Sequence, residues 1–126
     1  MRIELDPEIE ALTAKIIGAG FAVSNALGHG FLEVVYRNAL AEELCLSGLT
    51  IEREKSFVVR YKDKAVGTYI ADLVVAGLVV VELKAASSLG DAHVAQVLNY
   101  LRASQLPVGR LMNFGTPRLQ WKRVIL

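Results

Sequence analysis

Two apolar runs, Leu73-Val74-Val75 and Leu78-Val79-Val80-Val81, flank Ala76-Gly77, and charges enter only at their far ends, as Asp72, Glu82 and Lys84. Strands apolar at successive positions are covered on both faces, and a small-residue pair between them is turn chemistry. The chain must therefore supply helices to both sides of a sheet. Alternation places Ile70, Asp72 and Val74 on one face of the first strand, and Val80, Glu82 and Lys84 on one face of the second. A tight hairpin makes these faces one, so Asp72 and Glu82 converge with Lys84 beside them. An ordinary ion pair on a solvated sheet face is the alternative, but charges inside apolar strands are costly without a purpose.

The remaining pattern provides the covering layers. Ile9, Leu12, Ile16, Ala19, Val23 and Leu27 share one face of a helix predicted over Asp6 to Leu27, with Asp6-Pro7 as its start. Gly28-His29-Gly30 breaks it. A second helix is expected from Phe31 to Ser47, with Leu32, Val35, Tyr36, Ala39, Leu40 and Leu44 inward, Cys45 as a small core residue and Gly48 as the stop. Strands follow at Ile51–Tyr61, Val66–Val75 and Leu78–Lys84, a third helix at Asp91–Ser104, and strands at Pro107–Phe114 and Gln120–Ile125. This order implies a mixed sheet with helices packed on it, in one domain over residues 1–126.

Composition narrows the function. With 53% hydrophobic and 21% charged residues in 126, the chain is no disordered tail. One cysteine excludes an intrachain disulfide and fits a reducing compartment. The longest uncharged apolar stretch, Leu73–Val81, is far short of the about 20 residues that span a bilayer. Early acids in Met1–Pro7 do not resemble a secretory leader, so a cytoplasmic protein without a membrane partner is expected. A net charge of +1 argues against coating nucleic acid by bulk charge. Yet residues 1–63 carry seven basic and ten acidic side chains, and residues 64–126 seven and three. From Arg102 onward five basic residues stand without an acid, which suggests a basic face.

Two close carboxylates repel unless a cation joins them. A hard divalent ion such as Mg²⁺, or Mn²⁺, takes one or two carboxylates and keeps waters and phosphate oxygens as its other ligands. Lys84 beside such an ion can orient an attacking water or stabilise developing charge. Glu33 sits in the first turn of the second helix, where the helix dipole alone accounts for an acid. Tyr36 and Arg37 share its side of that helix; Tyr36 is expected half in the core, its hydroxyl free to meet phosphate or a carboxylate. On the third helix, His93, Gln96 and Tyr100 form a stripe that would ordinarily be solvated. His29, between glycines, reads as a loop residue.

Asp72, nine intervening residues and Glu82-Leu83-Lys84 resemble the D-(x)n-E-x-K signature of the PD-(D/E)XK nuclease superfamily. Gly30-Phe31-Leu32-Glu33-Val34-Val35-Tyr36 resembles the motif for which the small GxxExxY family of that superfamily is named. Lys15–Ala19, Ala71–Leu73, Val81–Lys84, Ala95–Leu101 and Asn113-Phe114 are similar to the same family, so the resemblance runs from about Ile9 to the C-terminus. It implies an α/β restriction-endonuclease-like fold of three layers, a mixed sheet flanked by helices in an αβββαβ core with an extra N-terminal helix. It also implies Mg²⁺-dependent phosphodiester cleavage, with Asp72 and Glu82 as metal ligands, Glu33 completing the site directly or through water, and Lys84 as the catalytic lysine. Gln96 and Tyr100 match a Q-x-x-x-Y element that supports the lysine and substrate contacts. His93, Tyr36, Arg37 and Arg102 are candidate nucleic-acid contacts. Ala71 stands where the superfamily's name places proline, a position that shapes the strand.

A nuclease acting on nucleic acid, DNA first, is thus the leading expectation. A nucleic-acid-binding or accessory module with little activity alone is the second, and a homodimer or protein partner would supply a second site or specificity. A Schiff-base role for Lys84 is disfavoured, because neighbouring carboxylates favour its charged form over the free amine.

Overall fold

The computed structural model describes residues 6–126; the Met1–Leu5 part of the stretch read for a leader lies outside them. The chain runs α1 (Pro7–Leu27), α2 (Glu33–Leu46), β1 (Ile51–Tyr61), β2 (Lys64–Val75), β3 (Val79–Lys84), α3 (Asp91–Ser104), β4 (Val108–Asn113) and β5 (Gln120–Val124). Asp6 caps α1, its Oδ1 accepting from the Glu8 amide at 2.8 Å. Helix α2 begins two residues later than expected: Leu32 is its N-cap, and at 76% exposure it points to solvent rather than inward. Cys45 is likewise exposed, on the helix face away from Leu40 and Leu44.

The five strands form one sheet in sequence order, antiparallel except for the parallel β3–β4 pair. That single parallel pair is what α3 makes possible, since a parallel neighbour requires a crossover. The β1–β2 hairpin turns on Lys62-Asp63, both of positive φ. The β2–β3 hairpin turns on three residues, Ala76-Gly77-Leu78, the first two of positive φ, so that Leu78, expected in the strand, lies in the turn. Such turns match the strand twist and fix the register: Leu73 faces Val81, Val74 faces Val80 and Val75 faces Val79.

Apolar residues on the two faces make two cores. Leu73, Val75, Val79, Val81, Leu83 and Met112 pack beneath α1 and α2, against Ile16, Val23, Tyr36 and Leu40. Val74, Val80 and Leu111 pack under α3, against Val97, Tyr100 and Leu101. Each such side chain fully buried contributes about 1.5–3 kcal/mol, so helix-sheet-helix layering is what the continuous apolar strands demand. This is the mixed-sheet, restriction-endonuclease-like α/β architecture that the sequence implied.

One irregularity positions the site. Odd-numbered Leu73 and Val75 belong to the core under α1 and α2, but odd-numbered Ala71 and Tyr69 belong to the side under α3. The strand therefore changes face at Asp72. Opposite, on β1, Glu54 has a φ of 50°, outside ordinary strand geometry. Beyond this point the β1–β2 hairpin continues as an arm whose outer residues Val58, Val66 and Ile70 are exposed.

Candidate active site

Strands β2 and β3 pair from Val75–Val79 to Leu73–Val81 and then part. Two carboxyls fill the opening. Asp72 Oδ2 accepts from the Leu83 amide at 2.9 Å, replacing a ladder bond, and Glu82 Oε2 lies 3.5 Å from the Asp72 amide. Lys84 Nζ stands 3.8 Å from Glu82 Oε1. Asp72 and Glu82 are buried, at 9% and 4% exposure, and Lys84 is half-buried at the mouth. The parting of the strands makes this possible, because a continued ladder would occupy the Leu83 amide.

The electrostatics follow from burial. The Glu82 carboxyl is pushed up to about 8, first because burial penalises its charge and then because Asp72 lies against it; Lys84 only partly offsets this. The Tyr100 hydroxyl is pushed up to about 12 by burial and by the charges of Glu82 and Asp72, which places it within reach of their field. Tyr100 donates nothing to the carboxylates; its Oη accepts from Gln96 Nε2 at 3.2 Å. The ring is buried and meets Tyr69 edge-on at 5.6 Å. The Gln96–Tyr100 stripe thus faces the sheet rather than solvent. His93, half-buried in the first turn of α3, spends Nδ1 on the Gly90 amide at 3.1 Å.

Helix α2 contributes differently than its sequence suggested. Arg37 reaches Asp72 Oδ1 with Nη1 at 3.6 Å and Glu54 Oε1 with Nη2 at 3.4 Å, and its buried Nε has no hydrogen-bond partner. Glu33 is exposed, one turn before Arg37, and among the described residues no cluster of three His, Cys, Asp or Glu side chains could hold an ion. Glu33 therefore does not close Asp72 and Glu82 into a triad. Tyr36 is fully buried; its hydroxyl donates to Gly28 O at 2.7 Å and receives the Phe31 amide at 3.2 Å. Its ring stacks on Phe114 at 4.9 Å. Tyr36 is thus a clasp on the Gly28–Phe31 loop, with no hydroxyl free for phosphate.

The expected basic face is broken up. Arg110 is buried in β4, and Arg123 pairs with Glu10 at 2.7 Å. Arg102 stays exposed on α3, its Nη1 donating to Asn99 Oδ1 at 3.0 Å.

Other residues were given no role from the sequence, although Asn113-Phe114 belonged to the family resemblance. Asn113 is fully buried at the end of β4; it receives the amides of Ala86 and Gly115 and donates to Ala86 O and Gln120 Oε1. The Phe114 amide donates to Lys84 O at 2.8 Å. Together they tie the chain just after Lys84 to the sheet. A Cβ on Gly115 would overlap the Ala85–Ala86 backbone, so glycine is required there. A buried asparagine ending an apolar strand was the available signal. Glu54 could not be found by continuing the hairpin register, which from Tyr61–Lys64 would set Arg53 opposite Asp72; the shift between Val59 and Arg60 brings Glu54 there instead.

The paired carboxyls fit a hard divalent ion: both are oxygen donors, and positive charge beside Glu82 opposes the burial that raises it, as Lys84 already does in part. An ion of that kind needs no third carboxylate, because water and phosphate oxygens complete its shell.

Comparison with known proteins gives two matches. The model of a family described as PD-(D/E)XK nuclease superfamily matches residues 10–124. The crystal structure of SSO0001 superposes with a TM-score of 0.57 at 19% identity, over 94% of this chain and 59% of that one. The chain thus spans about three-fifths of that neighbour, and the likeness concerns the fold. No curated protein matches significantly in sequence. Among the described residues no helix is long and apolar enough to cross a membrane.

Proposed function

Because the chain belongs to the PD-(D/E)XK nuclease superfamily, we propose that it hydrolyses phosphodiester bonds of nucleic acid, with DNA as substrate and Mg²⁺ as the working ion. Within the superfamily we place it in the GxxExxY family, on the Gly30–Tyr36 segment, and read residues 1–126 as a single nuclease domain. The observation that carries the reading is the convergence of buried Asp72 and Glu82 in the opening between β2 and β3, with Lys84 at its mouth.

Asp72 and Glu82 are the residues that would hold the ion, which when bound neutralises phosphate charge and lowers the pKa of an attacking water. Lys84 has its ammonium at the mouth, where it donates to that water or to a non-bridging phosphate oxygen. Asp72 is fixed by the Leu83 amide, so its carboxylate is oriented before any ligand arrives. Gln96 donates to Tyr100, whose ring belongs to the core under α3, and the pair lines the α3 side of the site. Arg37 has a guanidinium already at the carboxylate, its Nη1 3.6 Å from Asp72 Oδ1. One copy presents one such site, so cutting two strands requires two copies or two encounters.

The Arg37–Asp72 ion pair favours a second reading, in which the module binds nucleic acid but turns over little without a partner. Cleavage assays with Mg²⁺ and Mn²⁺ on labelled oligonucleotides separate the two. The nuclease reading expects cutting by the wild type, and a loss of at least about 10²-fold in Asp72→Ala and Lys84→Ala with the fold intact. Undiminished cutting by either variant would remove these residues from the mechanism. Salt-dependent binding without cutting under either metal would select the accessory module.

A further inference from the structure

We propose that the cleft between the β1–β2 arm and the C-terminal half of α3 seats one unpaired nucleotide of a single-stranded substrate, next to the carboxylate pair; this rests on the nuclease reading above. The cleft has a volume of about 470 Å³, and its lining includes Val59, Arg60, Tyr69, Asn99, Arg102 and Gln105. Both arginines are exposed, and among the described residues neither forms an ion pair. Two guanidiniums sharing one cleft without a carboxylate repel each other, and an anion between them turns that repulsion into two charge-assisted contacts. The register shift between Val59 and Arg60 re-aims the arm at this point. It places Arg60 across from the helix that carries Arg102.

The other walls suit a nucleotide better than a bare phosphate. Tyr69 is an aromatic surface, Gln105 brings an amide donor and acceptor, Asn99 brings its amide donors while its Oδ1 accepts from Arg102, and Val59 is apolar. This is the combination that holds an unstacked base by its face and edge while cations hold its phosphate. A concavity of this size admits a base turned out of a strand and excludes a stacked duplex.

Position links the cleft to the site. Tyr69 lines it and also meets Tyr100 edge-on, and Tyr100 lies in the field of Glu82 and Asp72. The cleft and the carboxylates are therefore separated by one aromatic layer on the α3 side of the sheet. A nucleotide held there would neighbour the one whose phosphate reaches Lys84, so the enzyme acts on single strands or unpaired ends.

The test is metal-free binding of a fluorescent single-stranded oligothymidylate, compared with a blunt duplex of equal length, by wild type and Arg60→Gln/Arg102→Gln. Both positions are exposed, so the variant keeps its fold, which thermal unfolding verifies. The inference expects single strand to bind at least about 10-fold tighter than duplex. The double variant should lose about 10-fold of that affinity. Its log-affinity against log-salt slope should flatten by about 0.7, the loss of one neutralised phosphate on a single strand. Equal binding by variant and wild type, or a preference for duplex, would overturn it. Cleavage assayed separately with Mg²⁺ keeps the two claims apart. Arginine-dependent binding without cutting leaves the cleft standing and removes the nuclease reading. Cutting that ignores both arginines does the reverse.

Discussion

Arg37 holds its guanidinium where a cation would neutralise Asp72, and that fixes what its removal does. Without it, Asp72 carries uncompensated charge, so Arg37→Met should bind Mn²⁺ roughly fivefold tighter, equivalent to about 1 kcal/mol for a partly screened pair. Cleavage should nevertheless fall, because no guanidinium then stands beside Asp72 to meet a phosphate's charge. Calorimetric titration checks the first part, and weaker binding would show that Arg37 organises Asp72 instead of competing for it. Tyr36 carries a different kind of prediction. Tyr36→Phe leaves Gly28 O and the Phe31 amide without their partner, which should cost about 1–3 kcal/mol of stability in denaturant unfolding. Metal affinity should stay unchanged, since the hydroxyl faces the loop. A loss of metal binding with stability intact would return Tyr36 to the site.

Between elements, the connection that matters is the one from β4 to the chain after Lys84. Asn113→Ala strands the polar groups of Ala86 and Gly115 inside the protein, so a stability loss of about 2–4 kcal/mol is expected. Turnover should fall with it, because Lys84 O is tied to the same segment. Metal binding should survive, because β2 and β3 hold Asp72 and Glu82 by themselves; unfolding and titration on the same sample read both. This division also explains what the sequence could and could not reveal. The Ala76-Gly77 turn fixes a register, and a register decides which residues meet, so Asp72 beside Glu82 was legible from alternation alone. The change of face at Asp72 was not, because it depends on a positive φ at Glu54, a residue type that gives no backbone signal. Tyr100 was ambiguous for another reason. A tyrosine has an apolar body and a polar tip, and only the Tyr69 ring across from it decides that it turns inward. Leu32 fell on the wrong side because helix α2 starts at Glu33 and leaves it outside, and Cys45 because it stands one residue past Leu44, off the Tyr36–Leu40–Leu44 stripe.

For the whole molecule, the buried carboxyl makes stability a function of pH. Glu82 titrates near 8 when folded against an ordinary 4.5, so the folded state holds a proton that the unfolded state has released. That contribution is complete below about 4.5 and is lost as pH rises through about 8. The metal-free protein should therefore show a falling Tm from pH 5 to pH 9, and Glu82→Gln should flatten this trend; parallel curves for the two proteins would locate the effect elsewhere. The same proton links stability to function, because an ion can take Glu82 only after it leaves. The most direct test of the account is calorimetric titration of Mn²⁺ near pH 7, in two buffers of different ionisation enthalpy, into wild type and Asp72→Ala/Glu82→Ala. The account predicts binding by wild type with release of a proton, and none by the double variant. Equal binding by both proteins would contradict it, because the ion would then sit somewhere other than the opening between β2 and β3.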